Sequence, residues 1–184
     1  MDEKEIIYDW NQFVQHPRPR QSFVLNDETL RDGLQSPSIT DPTREEKIQI
    51  LHLMEALGIG TADIGLPGAG PHVAESVTAL AKEIVSAKMK LRPNCAARTM
   101  VQDIQPIVDI SQKTGLQIEV MAFIGSSPIR VYTEEWDEPV MLKLVRDAIS
   151  FGVKNNLPTC LVTEDTVRAR PEMLSALYGA ALEA

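Results

Sequence analysis

Residues 24–37 read Val24-Leu25-Asn26-Asp27-Glu28-Thr29-Leu30-Arg31-Asp32-Gly33-Leu34-Gln35-Ser36-Pro37. The apolar, β-prone residues at 23–25 predict the end of a buried strand. Directly after it, Arg31, Asp32 and Gln35 bring a guanidinium, a carboxylate and an amide together, and Gly33 lets the backbone turn among them. Such a carboxylate can ligate a divalent cation, and the guanidinium can clamp the oxygens of an oxo acid. The alternative interpretation is a surface ion pair in a turn.

Composition narrows the class of protein. The chain has 184 residues, a formal charge of −8 and 43% apolar residues, which is typical of a soluble globular protein. An acidic chain is a poor partner for nucleic acid. Its apolar runs are too short to span a membrane, and the acidic N-terminus does not resemble a signal peptide, so we expect a cytoplasmic protein. Cys95 and Cys160 lack Cys-x-x-Cys spacing and are predicted to be reduced core residues.

The first residues differ in pattern from the remainder. Ile6, Trp10 and Phe13 recur at helical spacing, and two prolines at positions 17 and 19 then stiffen the chain. We therefore predict an N-terminal amphipathic helix with a Pro-rich connector over residues 1–20. Residues 21–184 contain no interdomain linker and are predicted to form one domain.

Strand and helix patterns alternate five times along that domain. The predicted strands lie at 23–25, 61–66, 90–98, 117–125 and 158–166. The first helix has a capping box formed by Thr43 and Glu46, with Asp41 and Pro42 as a competing start one or two residues earlier, and Gly58 ends it. Its predicted buried stripe consists of Ile50, Leu53, Met54 and Leu57.

The later helices follow the same alternation. They are predicted at 73–84, 100–114, 139–156 and 170–184, with a long loop before the fourth helix. Consecutive strand–helix units predict a parallel sheet with right-handed crossovers. The pattern alone does not separate an open doubly wound sheet from part of a barrel, although the dinucleotide-binding glycine fingerprint is missing.

The opening stretch carries a family resemblance. Asp-x-Thr-Leu-Arg-Asp-Gly-x-Gln-Ser-Pro, from Asp27 to Pro37, resembles the signature of a family of metal-dependent TIM-barrel enzymes. That family comprises 2-isopropylmalate, homocitrate and citramalate synthases and 3-hydroxy-3-methylglutaryl-CoA lyase. The resemblance covers residues 22–184 and implies a TIM (β/α)8 barrel of which the first five βα units are present. Because a complete barrel needs eight units and about 250 residues, we expect a truncated catalytic domain.

The resemblance assigns roles within the opening motif. Asp32 matches the family's ligand for a divalent metal (Mg, Mn or Zn), Arg31 matches the residue that contacts the oxo acid, and Gln35 matches a glutamine near the substrate. The family's other metal ligands form a His-x-His pair, and this sequence has none, with His16, His52 and His72 scattered. One carboxylate does not retain a catalytic metal, so the chain alone is expected to be metal-poor and inactive.

The third and fifth strands supply two further matches. Glu164, in Glu-Asp-Thr-Val-Arg, resembles the family's strand end and would assist proton abstraction as a catalytic residue. The alternative is that Glu164 and Asp165 cap the helix that begins near Pro171. Arg98 matches a substrate-binding arginine of the family, with a structural ion pair as its alternative.

The fourth strand ends in a segment resembling the family's Thr-Ser-Pro-Ile-His. The resemblance implies substrate contacts for Ser127 and Arg130, and Arg130 stands where isopropylmalate synthases tend to have histidine. A cation there can receive the second carboxylate of a dicarboxylic acceptor, which favours homocitrate synthase. Against this, homocitrate synthases often carry Arg-Glu-Gly in the opening motif, where this chain has Arg-Asp-Gly. The alternative is a surface ion pair with Glu134 or Glu135.

The reaction implied is a Claisen condensation of the co-substrate acetyl-CoA with a 2-oxo acid. A 2-isopropylmalate synthase-like role in amino-acid biosynthesis is the first interpretation, with a homodimer expected for the full-length protein. Homocitrate or citramalate synthase, the lyase, and an inactive fragment that acts as an assembly module remain alternatives.

Overall fold

The computed structural model describes residues 23–184, so the predicted N-terminal helix and connector lie outside the described residues. The strands are β1 Asn26–Asp27, β2 Thr61–Asp63, β3 Arg92–Arg98, β4 Glu119–Gly125 and β5 Thr159–Glu164. The helices are α1 Arg44–Leu57, α2 Pro71–Ser86, α3 Val101–Thr114, α4 Pro128–Thr133, α5 Glu138–Lys154 and α6 Pro171–Glu183. None of the described helices is long and apolar enough to cross a bilayer.

The strand order decides between the two predicted architectures. All neighbouring strands are parallel, and their spatial order is β1-β2-β3-β4-β5, the same as their order in the sequence. A doubly wound sheet reverses its strand order at a switch point and carries helices on both faces. Neither feature is present in the described part of the chain. The α/β half-barrel of five βα units, predicted from the family resemblance, is therefore confirmed.

One face of the sheet forms the hydrophobic core. Alternate strand residues, including Cys95 and Ala97 on β3 and Val120 and Ala122 on β4, are fully buried against apolar side chains of the helices. A second cluster joins β4 and β5 to α5 and α6. The intervening strand residues point to the opposite face, because side chains alternate along a strand. The helices therefore cover one face and leave the other available for the site.

The start of α1 has the predicted capping box. The Thr43 hydroxyl oxygen accepts from the Glu46 N–H at 3.2 Å, and the Glu46 carboxylate accepts from the Thr43 N–H at 2.7 Å. Gly58 ends the helix in the left-handed region with φ 77°, where glycine carries no Cβ penalty. Both ends of α1 are thus specified by local residues.

Replacing Thr43 with alanine is expected to lower the free energy of unfolding by about 1 kcal/mol, because the Glu46 N–H in the first turn loses the hydroxyl oxygen that accepts its hydrogen bond. Urea denaturation of the chain measures the change. Thr40→Ala, at an exposed threonine outside the helix, is the matched control and is expected to leave the midpoint unchanged. Equal midpoints for the two variants would contradict the prediction.

The predicted buried stripe of α1 is wrong in part. Met54 is buried as expected, but the other fully buried residue is Leu51, whereas Leu53 and Leu57 are exposed. Apolar residues occur on more than one side of this helix, so its sequence alone does not decide which side is buried. The side of the helix that packs on α2 and the sheet is the one that carries Ile48, Leu51 and Met54.

The predicted first strand is also shifted. Residues 23–25 are exposed, with Phe23 at 81%, and the regular strand is Asn26–Asp27. The Leu25 carbonyl still accepts from the N–H groups of Gly60 and Thr61 at 3.2 and 3.1 Å. However, β1 is the edge strand of the described sheet, so these side chains have a neighbouring strand on one side only.

The segment between β4 and α5 differs from the predicted loop because it contains the short helix α4. The Ser127 hydroxyl caps it by accepting from the Arg130 N–H at 3.3 Å, and a proline follows at the first helical position, where its missing N–H costs nothing. The two cysteines are free, as predicted, with Cys95 buried and Cys160 partly buried.

Candidate active site

A cavity of about 170 Å³ lies at the carboxyl end of the strands, on the face without helices. Three of the predicted site residues line it, namely Arg31, Gln35 and Glu164. Residues separated by more than a hundred positions in the sequence therefore meet at one edge of the sheet. The carboxyl ends of parallel strands are where barrel enzymes place their catalytic side chains.

The turn after β1 aims Arg31 into this cavity. The Asp27 carboxylate accepts from the Thr29 N–H at 2.8 Å, and this Asx turn reverses the chain directly after the strand. The Glu28 carbonyl then accepts from the N–H groups of Arg31 and Gly33. The local sequence thus holds the motif in a compact loop.

The Arg31 guanidinium is shared by three carboxylates. Its Nη2 lies 2.9 Å from Glu28 Oε2, its Nη1 3.2 Å from Asp32 Oδ1, and its Nε 3.4 Å from Asp63 Oδ2. One positive charge faces three acidic groups, so the cluster is negative when all of them are ionised. A planar guanidinium with five donors can serve several carboxylates at once and still present an edge to a ligand.

Asp63 is a site residue that the sequence analysis did not identify. It ends β2, is only 1% exposed, and lines the same cavity as Arg31 and Glu164. Burial raises its pKa to about 7, and nearby Glu28 adds to the increase, while the Gly65 N–H and Arg31 act in the opposite direction. The available signal was an aspartate inserted in the apolar strand pattern between Ala62 and Ile64.

Glu164 is held at the cavity by its backbone. The N–H and the hydroxyl of Ser126 both donate to the Glu164 carbonyl, at 3.1 and 2.9 Å. Its side chain is partly exposed, and Oε2 lies 3.6 Å from Arg130 Nη2.

Asp165 takes a separate structural role next to Glu164. It adopts a left-handed conformation with φ 58° and accepts from Arg168 Nε at 2.5 Å. This bond lowers the pKa of Asp165. The N-cap of α6 is Arg170 and has no side-chain capping bond, so the predicted alternative, in which Glu164 and Asp165 cap that helix, is wrong.

A second cavity of about 400 Å³ adjoins the first, and Glu164 and Phe123 line both. Arg98 and Arg130 line the second cavity. Arg98 forms a two-point ion pair with Asp103, at 2.5 and 2.9 Å. The structural ion pair that was predicted as the alternative to substrate binding is therefore present.

The surface ion pair predicted as the alternative for Arg130 is present, and its predicted substrate contact stays a prediction. Its Nη2 lies 3.2 Å from Glu134, which is the surface pair, and 3.6 Å from Glu164, which is a site residue. Its Nε atom is buried and has no hydrogen-bond partner among residues 23–184. Ser127 is fully buried as the cap of α4, and its predicted substrate contact stays a prediction.

The implied metal can be tested against the residues present. The Asp32 side chain is 64% exposed and ion-paired with Arg31. Within residues 23–184, no group of three or more His, Cys, Asp or Glu side chains is arranged to hold a metal ion. A single carboxylate fixes neither the coordination number nor the geometry of a divalent ion. The described residues therefore do not fit a metal by themselves.

The fold and the site define a class of protein, an α/β half-barrel with charged residues converging at the carboxyl ends of its strands. Residues 22–184 match the model of the family described as HMGL-like, and the chain belongs to this family. It is 27% identical to homocitrate synthase AksA of Methanopyrus kandleri, over 87% of this chain. It is also 27% identical to 2-isopropylmalate synthase of Neisseria meningitidis, over 88% of this chain.

These relatives are much longer than the chain, which spans 38% of the first and 30% of the second. Among solved structures, HMG-CoA lyase from Brucella melitensis is similar over 87% of this chain and 68% of that one, with a TM-score of 0.47 and 13% identity.

Proposed function

We propose that the full-length protein containing this chain is an acyltransferase that condenses acetyl-CoA with a 2-oxo acid. The observation that carries the proposal is the position of the Arg31 guanidinium and the Glu164 carboxylate on one cavity at the strand ends. The names of the curated relatives, homocitrate synthase and 2-isopropylmalate synthase, support the same reaction class.

The proposed chemistry develops negative charge twice. Loss of a proton from the thioester methyl group gives an enolate, and attack of this carbon on the keto carbon of the acceptor gives an alkoxide. Arg31 donates to these oxygens and stabilises the charge as it forms. Gln35 lies beside Arg31 on the cavity wall and orients the acceptor by hydrogen bonds. Hydrolysis of the thioester then releases CoA.

Two classes of 2-oxo acid are candidates for the acceptor. A 2-isopropylmalate synthase-like reaction uses a branched 2-oxo acid, for which an apolar wall is enough. Arg130 favours the second candidate, a dicarboxylic acceptor, because its buried Nε lacks a hydrogen-bond partner within the described chain and the side chain lines the adjoining cavity. A guanidinium is well suited to bind the second carboxylate.

Thiol release from acetyl-CoA tests the proposal. The full-length protein is incubated with acetyl-CoA and, in turn, 2-oxoisovalerate, pyruvate and 2-oxoglutarate, and free CoA is measured with a thiol reagent. We expect release that depends on one of the acceptors, with a reaction lacking acceptor as the control. No release with any acceptor, together with cleavage of 3-hydroxy-3-methylglutaryl-CoA, would establish the lyase alternative instead. Failure of both reactions would favour an assembly module.

A further inference from the structure

Gly125, the last residue of β4, is in close contact with the Arg130 side chain. A Cβ atom at position 125 would lie 2.7 Å from Nε, 2.9 Å from Cβ and 3.0 Å from Cγ of Arg130. We propose that Gly125 is a specificity-determining residue, because its missing side chain allows the Arg130 guanidinium to lie at the acceptor cavity. This inference rests on the proposed function, since it concerns how that reaction selects a dicarboxylic acceptor.

The backbone at Gly125 does not itself require glycine. The residue belongs to the strand β4, and its φ is not positive, unlike that of Gly58 at the end of α1. An alanine can adopt this backbone conformation without strain. The contact that distinguishes position 125 is therefore the close approach of Arg130, and the role of the glycine is to make room for it.

Arg130 cannot avoid a new Cβ atom by moving only the outer part of its side chain. Its own Cβ is one of the atoms in the close contact, and the position of that atom follows the backbone of α4. The Arg130 N–H donates to the Ser127 hydroxyl at 3.3 Å, which holds this backbone at the start of the helix. A side chain at position 125 therefore requires either that α4 shifts or that the guanidinium leaves its present place.

The guanidinium crosses the end of β4 next to Gly125. In the parallel register, Gly125 is the β4 partner of Glu164 on β5, and Arg130 Nη2 lies 3.6 Å from Glu164 Oε2. All three residues line the cavity of about 400 Å³. Gly125 thus lies where the arginine passes from its own helix to the neighbouring strand, and it can control how far the guanidinium reaches.

Arg130 has more donors available for a ligand than the other arginine of this cavity. Arg98 is held by the two-point ion pair with Asp103. Arg130 contacts Glu134 and Glu164 through one nitrogen, Nη2, and its Nε has no hydrogen-bond partner within residues 23–184. Because a guanidinium has five N–H donors, Arg130 keeps some for the second carboxylate of a bound acid. Displacing it is expected to weaken binding of that carboxylate and to spare the chemistry at Arg31.

Acceptor kinetics of the full-length protein test the inference. The parameters kcat and KM are measured for 2-oxoglutarate and for 2-oxoisovalerate in wild type and Gly125→Ala. We expect Gly125→Ala to raise KM for 2-oxoglutarate by about tenfold or more, the loss typical of a hydrogen bond to a charged group, with kcat within about threefold. For 2-oxoisovalerate, which has no second carboxylate, kcat/KM is expected to stay within about threefold.

Gly179→Ala is the matched control. Gly179 lies on α6, and a Cβ atom added there meets no atom within 4 Å. The same chemical change is therefore made without a close contact, and both KM values are expected to equal those of the wild type.

A double-substitution cycle shows whether Gly125 acts through Arg130. Arg130→Ala removes the guanidinium, so adding Gly125→Ala to it is expected to change neither KM for 2-oxoglutarate nor the urea midpoint any further. With Arg130 present, Gly125→Ala is expected to lower the urea midpoint, because the new Cβ overlaps the arginine. Equal effects of Gly125→Ala in the two backgrounds would overturn the inference, since they would not depend on Arg130.

Two further results would overturn the inference and leave the proposed reaction intact. One is a Gly125→Ala variant with the wild-type KM for 2-oxoglutarate. The other is a wild-type protein that releases thiol with 2-oxoisovalerate or pyruvate but not with 2-oxoglutarate. If the wild-type protein releases thiol with none of the acceptors, the proposed function fails, and this role of Gly125 fails with it.

Discussion

Replacing Arg31 with lysine is expected to lower kcat/KM for thiol release by about 10²- to 10³-fold, the range found when one oxyanion-stabilising donor is removed. The guanidinium contacts Glu28, Asp32 and Asp63 through three different nitrogens. A lysine ammonium keeps the charge but is a compact group with no planar fork. It cannot bridge the three carboxylates and also meet the developing oxyanion, so the loss is expected mainly in kcat.

Arg146→Lys is the matched control for this substitution. Arg146 lies on α5, is about half exposed and pairs with Glu183 at 3.4 Å, away from the cavity. A surface ion pair of this kind contributes little, so its exchange is expected to leave the kinetics unchanged. Retention of kcat/KM within threefold in Arg31→Lys would remove Arg31 from the mechanism. Urea denaturation of both variants shows whether any loss of activity comes from unfolding.

Replacing Asp63 with asparagine is expected to stabilise the fold at neutral and alkaline pH. The pKa of Asp63 is about 7 in the folded chain, against an ordinary value of 3.8. At about 1.4 kcal/mol per pH unit, the difference corresponds to roughly 4 kcal/mol of lost stability once the carboxyl group is ionised. Asparagine has no charge to desolvate, and its side-chain oxygen can keep the hydrogen bond from the Gly65 N–H.

The direction of the pH dependence follows from proton uptake. Between about pH 4 and pH 7 the folded state binds a proton at Asp63 that the unfolded state has released, so raising the pH through this window favours unfolding. We expect the free energy of unfolding of Asp63→Asn to rise relative to that of the wild type as the pH increases from 5 to 8. Urea denaturation at each pH measures the gap, and Asp147→Asn serves as control. Parallel curves would show that Asp63 titrates normally in the folded chain.

Local signals allowed much of the fold to be predicted. The capping box of Thr43 and Glu46 and the left-handed Gly58 depend on a few adjacent residues, and both ends of α1 were therefore predicted correctly. The five strand–helix units were predictable because period-2 and period-3.6 patterns alternate along the chain. The choice between barrel and open sheet was not local and came from the family resemblance, which the strand order now supports.

Two details depended on tertiary packing and were predicted wrongly. The phase of α1 was ambiguous in the sequence, and contact with the sheet selects Leu51 in place of Leu53 and Leu57. Residues 23–25 have strand propensity, yet their position beside the edge strand leaves them exposed. In both cases the sequence gives the apolar character, while the neighbouring elements determine which side chains are covered.

The candidate site was predictable to the extent that its residues belong to recognisable motifs. Arg31, Gln35 and Glu164 meet on one cavity, and each was predicted from a motif. Asp63 was missed because its importance comes from burial beneath the Arg31 turn, a contact between two segments about thirty residues apart. Asp32 is the opposite case, since its motif predicts a metal ligand but the described residues supply no companion ligands.

Side chains on β4 point alternately to the core and to the cavity, and this has a consequence for how the protein can evolve. Val120 and Ala122 pack on the helices, whereas Met121 and Phe123 line the cavity wall. Exchanges at positions 121 and 123 can thus reshape the cavity without opening voids among the side chains packed against the helices. The shape of the cavity and the stability of the scaffold therefore depend on different side chains of the same strand. A library randomised only at the cavity-lining positions 121 and 123 should retain mostly folded members.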